Sequence, residues 1–350
     1  MRTKAKELLL EGAFIPALPL VLNEKRQFDE ARQRRLTRYY LACGVDGIAV
    51  AVHTTQFEIR DPGIHLLEKV LETVLDEIEA YREKSGRTIL AVAGACGSVG
   101  QAREEARFAK ELGYDVVLLS PGGLESESEE ALIERTKRVA DIIDVAGFYL
   151  QQAVGGRIFS YQYWEAICAI EGVVAVKCAA FNRYLTIDVA RAIAFSGREV
   201  ALYTGNDDNI IVDLLTEYRF QEDGRVHTVR AAGGLLGHWA VWTHTAVEIF
   251  RRIKERGTKA AIEPEWLTLA AQITDANSAF FDVAGGFVGC IAGIHQVLFR
   301  QGLMPGIWCL NPHETLSPGQ REEIDRVYRQ YPHLNDDAFV AEFLRQEGVK

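Results

Sequence analysis

Short apolar runs alternate with amphipathic stretches along most of this chain. The runs 13–18, 47–52, 88–93, 115–119, 146–150, 173–177 and 200–203 are rich in Val, Ile, Leu and Ala without polar alternation. Such runs predict strands buried on both faces. Between them, 29–43, 65–84, 101–112 and 129–145 carry apolar residues at helical spacing. Strands that alternate with helices mean βαβ units and a parallel sheet.

Seven such units are plain. The eighth strand is placed at 234–239, with 221–230 as an insertion before it; the alternative is 226–231, which leaves 233–242 as an apolar loop. Eight units predict a (β/α)8 TIM barrel, an α/β fold, with additional C-terminal helices. The barrel is expected over 1–242, and the last barrel helix with a helical extension packed on the barrel over 243–350. The extension contains helical stretches at 266–281, 287–301, 318–331 and 337–346.

Charge and cysteine usage narrow the function classes. The net charge of -10 is spread along the 350 residues, which argues against nucleic acid or an anionic membrane surface as a partner. No apolar stretch is long enough to span a bilayer. Residues 1–10 carry three Leu, but Glu7 and Glu11 interrupt any apolar core. A first helix, not a signal peptide, is expected there. The cysteines at 43, 96, 168, 178, 290 and 309 form no CxxC pair. They read as reduced thiols of a cytoplasmic protein.

In a barrel of this kind, the chemistry sits at the C-terminal ends of the strands. Lys177 ends the apolar run Gly172-Val173-Val174-Ala175-Val176. Burial there disfavours the ammonium, and a neutral amine forms Schiff bases with carbonyl compounds. Tyr149 ends the preceding strand and is expected to face the same cavity, where a phenol can move protons. Thr54 and Thr55 follow the second strand and offer two hydroxyls and two backbone N–H groups to a carboxylate. Taken singly, a strand Tyr is ordinarily packing and a Thr pair ordinarily turn chemistry. Their joint appearance at strand ends is what points to a site.

This order of residues resembles the dihydrodipicolinate synthase / N-acetylneuraminate lyase family of class I, Schiff-base aldolases. Similar segments include Phe14-Ile15-Pro16-Ala17-Leu18-Pro19, Ala42-Cys43-Gly44-Val45-Asp46-Gly47-Ile48, Ala93-Gly94-Ala95-Cys96-Gly97 and Gly205-Asn206-Asp207. The resemblance implies a Lys177 Schiff base with a pyruvate-like 2-oxo acid. It implies Tyr149 as acid/base, Thr54 and Thr55 as carboxylate binders, and Thr55 in proton relay. It further implies a homodimer or homotetramer and no metal or organic cofactor.

The departures point away from lysine biosynthesis. Where the family reads Gly-Thr-Thr-Gly-Glu, this chain has His53-Thr54-Thr55-Gln56-Phe57. Gly122 and Gly123 stand where the synthases carry a tyrosine pair, and after Tyr149 the run Leu150-Gln151-Gln152 stands where they carry Asn-Val-Pro. Arg157 lies three positions beyond the expected arginine, and Cys178 replaces the usual Glu after the lysine.

Gln56, Arg60 and Gly205 complete the expected substrate-binding set, with Arg60 as an anion contact. Cys178 alternates to the opposite face of its strand and reads as core. Asp207 and Asp208 read as exposed carboxylates or a helix cap. His53, His238 and His244 lack metal-ligand spacing. The expected function is a Schiff-base lyase, aldolase or dehydratase. The alternative is a non-catalytic barrel that binds a 2-oxo acid or a partner.

Overall fold

The computed structural model describes residues 3–258 and 261–349. It opens with α1 (Thr3–Glu11), β1 (Phe14–Pro16), α2 (Glu30–Cys43), β2 (Gly47–Val50) and α3 (Leu67–Ser85). Then come β3 (Leu90–Ala95), α4 (Val99–Leu112), β4 (Val116–Leu119), α5 (Glu129–Ala140), β5 (Val145–Leu150) and α6 (Tyr161–Ala169). β6 (Val173–Ala179), α7 (Arg183–Phe195), β7 (Ala201–Thr204), α8 (Ile210–Leu215), β8 (Glu217–Glu222) and β9 (Arg225–Leu236) follow. The chain closes with α9 (Thr243–Arg256), α10 (Glu265–Phe280), α11 (Cys290–Arg300), α12 (Gln320–Gln330) and α13 (Asp337–Gln346). Eight strand–helix repeats followed by α10 to α13 are the expected (β/α)8 barrel with additional C-terminal helices. Of the strands, β8 is the one outside that count.

The chain divides into two compact units, Met1–Ile15 with Leu90–Leu235, and Pro16–Ile89 with Leu236–Lys350.

In the first unit, β3, β4, β5, β6, β7 and β9 pair in that order, all parallel. Every residue of β3 to β7 is buried, as continuous apolar runs require. Helix starts are fixed by local chemistry. The Ser98, Ser128 and Ser160 hydroxyls accept from Gln101, Ala131 and Tyr163 N–H groups at the heads of α4, α5 and α6.

The eighth barrel strand differs from both assignments made from the sequence. Both overlap one twelve-residue strand, β9, which holds all of 226–231 but only 234–236 of the other. Its first half pairs antiparallel with β8, from Glu222↔Arg225 to Glu217↔Arg230. Its second half pairs parallel with β7 through Ala231, Gly233 and Gly234. The ribbon half is exposed or half-buried throughout, whereas the barrel half, Ala-Ala-Gly-Gly-Leu-Leu, is buried except at the half-buried Ala232. A Cβ on Gly233 would stand 2.2 Å from the Ala13 carbonyl oxygen, so only glycine fits there. The strand ends at Leu236, and His238–Ala240 is a 3-10 turn.

In the second unit, Ala17 bridges Ala49 in parallel, and the Leu18 N–H donates to the Ala49 carbonyl at 2.9 Å. Tyr39 on α2 donates to Asp336 at 2.6 Å, just ahead of α13. The Gln320 side chain at the head of α12 donates to the Ala279, Phe280 and Gly289 carbonyls at 3.0–3.3 Å. Among the described residues, no helix is long and apolar enough to cross a membrane.

Candidate active site

Lys177 lies within β6 near its C-terminal end and is 8% exposed. Its register partners are Phe148 on β5 and Tyr203 on β7. Partners in a parallel pair share a face of the sheet, and the Lys177 Nζ stands 4.4 Å from the centroid of the Phe148 ring. The ring face favours the ammonium. Burial acts more strongly in the other direction and pushes the amine down from its ordinary value to about 8, against the raising effect of the Asp207 charge. At pH 7 about one-tenth of such an amine is neutral.

The stem of Lys177 runs against a glycine. A Cβ on Gly205 would stand 2.8 Å from Lys177 Cε and 2.8 Å from Ala179 Cβ. The Gly205 N–H donates to the Cys178 carbonyl at 2.7 Å, extending the β6–β7 ladder beyond the strand. Gly205 therefore leaves room for the lysine stem that no other residue would leave.

The segment after β7 is held from the opposite face. The buried Asp213 carboxylate accepts from the Thr204 hydroxyl at 2.7 Å and from the Asn206 and Asn209 amides at 2.9 Å each. It also pairs with Arg183. The Asn206 oxygen accepts from the Phe181 N–H at 2.9 Å. This network fixes the turn that carries Gly205 and Asp207. Asp207 is buried, where the sequence reading had an exposed carboxylate or a cap. It lies two residues beyond Gly205, the residue that meets the Lys177 stem.

Tyr149 does not meet the expectation of a cavity shared with Lys177. It stands in register with Cys178, so alternation turns it to the other face. There it stacks on Trp164 of α6 at 5.0 Å and meets Phe159 edge-on at 5.6 Å. Its hydroxyl accepts from the Phe159 N–H at 3.2 Å. Burial pushes this phenol up to about 12. The physical cause is a break in the β5–β6 register. Val145 pairs with Val173, but Ala146 pairs with Ala175. One residue of β6 is skipped, and a one-residue slip exchanges the two faces. Cys178 lies where the sequence placed it, away from the lysine, with its sulfur 3.7 Å from the Thr186 hydroxyl.

The remaining candidates belong to the second unit. Thr54 and Thr55 donate their hydroxyls to the Leu18 carbonyl at 3.3 and 2.7 Å. The Thr55 N–H is engaged by the Val52 carbonyl at 2.9 Å in a 3-10 turn, so that amide is not held ready for an anion as expected. The Gln56 side-chain oxygen accepts from the Leu310 N–H at 2.5 Å. Gln56 adopts φ 69, a left-handed conformation that favours the glycine of the family pattern. Arg60 donates to the Ala51 carbonyl at 3.0 Å and lies 5.8 Å from the Phe57 ring centroid. Arg157, in the first unit, donates to the Glu125 and Glu127 carbonyls. Among the described residues, no group of three or more His, Cys, Asp or Glu could hold a metal ion.

No family model matches the chain. Over 117 residues, 33% of this chain, it is 30% identical to the 4-hydroxy-tetrahydrodipicolinate synthase of Pelobacter propionicus. That match spans 38% of the synthase's own length. The fold is similar over far more of the chain. A dihydrodipicolinate synthase from Oceanobacillus iheyensis superposes with a TM-score of 0.74 at 16% identity, covering 94% of this chain and 99% of that one. An N-acetylneuraminate lyase from Fusobacterium nucleatum gives 0.70 at 16%, covering 92% and 99%. An E. coli K12 prophage protein of the dihydrodipicolinic acid synthase family, solved in complex with pyruvate, gives 0.72 at 13%, covering 92% and 98%. The chain is thus similar in sequence, over a third of its length, to a 4-hydroxy-tetrahydrodipicolinate synthase, and similar in fold, over nearly all of it, to dihydrodipicolinate synthases and N-acetylneuraminate lyases.

Proposed function

We propose that this protein is a Schiff-base-forming lyase that acts on a pyruvate-like 2-oxo acid through Lys177, as an aldolase or a dehydratase. One observation carries the reading: a lysine buried at the C-terminal end of a barrel strand, its amine brought to about 8. A neutral amine attacks the ketone carbon, and the resulting imine draws electrons from C3. A bond at C3 then breaks or forms through an enamine, and loss of water from a hydroxylated acid uses the same sink. No metal or organic cofactor is needed for these steps.

Thr54 and Thr55 keep the carboxylate role that the family resemblance implies, on that basis alone. Assembly as a homodimer or homotetramer is proposed on the same basis. Light scattering of the purified protein tests the assembly.

The test of the activity is intact mass after incubation with pyruvate and borohydride, on wild type and Lys177→Ala. A reduced adduct in the wild type that vanishes in the variant supports the reading. No adduct with pyruvate or with larger 2-oxo acids overturns it.

A second reading, a non-catalytic barrel that binds a 2-oxo acid or a partner, is favoured by one observation. The phenol that the family uses for proton transfer is turned away from the amine. An imine that forms on Lys177 without turnover of any oxo acid supports this second reading.

A further inference from the structure

The Schiff-base chemistry proposed above needs a proton carrier beside the amine, and Tyr149 stands on the wrong face of the sheet. Another titratable group of the same unit is buried two residues beyond the glycine that meets the lysine stem. Tyr203 is the register partner of Lys177. Two residues on, Gly205 lies against the Lys177 stem. Two residues further comes Asp207, buried like the lysine. The intervening side chains, Thr204 and Asn206, point the other way and are bound to Asp213. The alternation of the strand thus holds from Tyr203 to Asn206, and Asp207 follows as the first residue of the turn that the Asn209 N–H closes on the Asn206 carbonyl at 2.9 Å.

We propose that Asp207 is the proton-transfer group for imine formation at Lys177, the part that the family pattern gives to a tyrosine. The inference rests on the Schiff-base reading. In the resting pair, the Lys177 ammonium gives one proton to the Asp207 carboxylate. The free amine then attacks the ketone carbon: a C–N bond forms, and the carbonyl π electrons move to oxygen. Asp207 hands its proton to that alkoxide and takes one from the attacking nitrogen. It returns this second proton to the hydroxyl as the C–O bond breaks. Water leaves, the nitrogen lone pair closes the C=N bond, and the carboxylate is restored. The sum is ammonium plus ketone giving iminium plus water.

The charged groups around the pair divide cleanly. The Asp207 charge acts directly on the Lys177 amine. Asp208 is acted on by Arg183 and Asp213, and Asp213 is itself paired with Arg183. From the flanking strands, Phe148 and Tyr203 share the lysine face. The Tyr203 hydroxyl is engaged by the Leu9 carbonyl and the Ala13 N–H, at 2.7 and 3.0 Å.

The test is the rate of borohydride trapping of pyruvate on Lys177 from pH 5 to pH 10, read by intact mass. Wild type, Asp207→Asn, Asp207→Glu and Tyr149→Phe are compared. The expected result for Asp207→Asn is a trapping rate about 100-fold lower, with the rate's midpoint moved to lower pH. The midpoint reports loss of the Asp207 charge, whereas the rate lost at pH 10, where the amine is neutral in both proteins, reports loss of proton transfer. Asp207→Glu restores part of both. The proposal is overturned if Asp207→Asn keeps the wild-type rate and midpoint, or if Tyr149→Phe alone shows the loss. An adduct-free wild type overturns the Schiff-base reading together with the inference, a result distinct from either.

Discussion

Phe148 and Lys177 are register partners on neighbouring parallel strands, and the lysine nitrogen stands 4.4 Å from the ring centroid. The aromatic face favours the charged amine while its apolar surroundings oppose it, and burial wins. Replacing Phe148 by Leu keeps the burial and removes the ring. The Lys177 midpoint is then expected to fall by roughly half to one unit. The pH dependence of borohydride trapping measures it, and an unchanged or higher midpoint refutes the balance described.

The same burial makes a statement about stability. The amine titrates near 8 when folded and at its ordinary value of 10.5 when unfolded. Between those values the unfolded chain binds the extra proton, so stability rises with pH there. Lys177→Met removes the buried charge and is expected to be more stable than wild type at pH 7, by about 1–3 kcal/mol. That advantage shrinks as pH rises from 8 towards 10.5. Urea unfolding at pH 7 and pH 10 checks the sign.

Gly205 predicts a separation of chemistry from folding. A methyl group there meets Lys177 Cε and Ala179 Cβ at 2.8 Å. The lysine stem is the softer of the two and gives way. Gly205→Ala is expected to lose about 1–3 kcal/mol of stability and at least about tenfold in trapping rate through displacement of the amine. A variant that traps pyruvate as fast as wild type contradicts the close approach.

Asp213 is expected to matter more for stability than its pairing with the half-exposed Arg183 suggests. Its removal strands the Thr204 hydroxyl and the Asn206 amide, both buried. Asp213→Ala is expected to lose about 2–4 kcal/mol, whereas Arg183→Ala loses less. Paired denaturation curves decide between them.

For Gln56 two substitutions separate strain from bonding. Both Gln56→Ala and Gln56→Gly lose the bond from Leu310, but only Gly relaxes the positive φ. Gln56→Gly is expected to be the more stable of the two by about 1 kcal/mol, measured by thermal unfolding.

Much of the fold was legible because the strands are buried on both faces and so appear as unbroken apolar runs. The lysine was legible because a charge at the end of such a run is rare. β9 was hard to place because it changes environment midway. Arg225–Arg230 is polar and half-exposed beside β8, and Ala231–Leu236 is small and buried. Tyr149 was misplaced for a different reason. Its facing depends on a skipped partner between Val145 and Ala146, and no composition or periodicity marks such a skip. The burial of Asp207 was not legible because acidic residues just before a helix resemble caps, and its turn is anchored by Asp213 six residues on.

The skip between β5 and β6 works like a reading frame. Val174 is the residue of β6 passed over in the pairing, and every pair downstream takes its phase from that omission. In one phase an apolar ring stands opposite the amine; in the other, a phenol does. Two chains with the same residues at the strand ends can therefore present different chemistry. Deleting Val174 would close the skip and leave Lys177 opposite Phe148, whereas deleting Gly147 is the one-codon change that would bring Lys177 into phase with Tyr149, without altering either side chain.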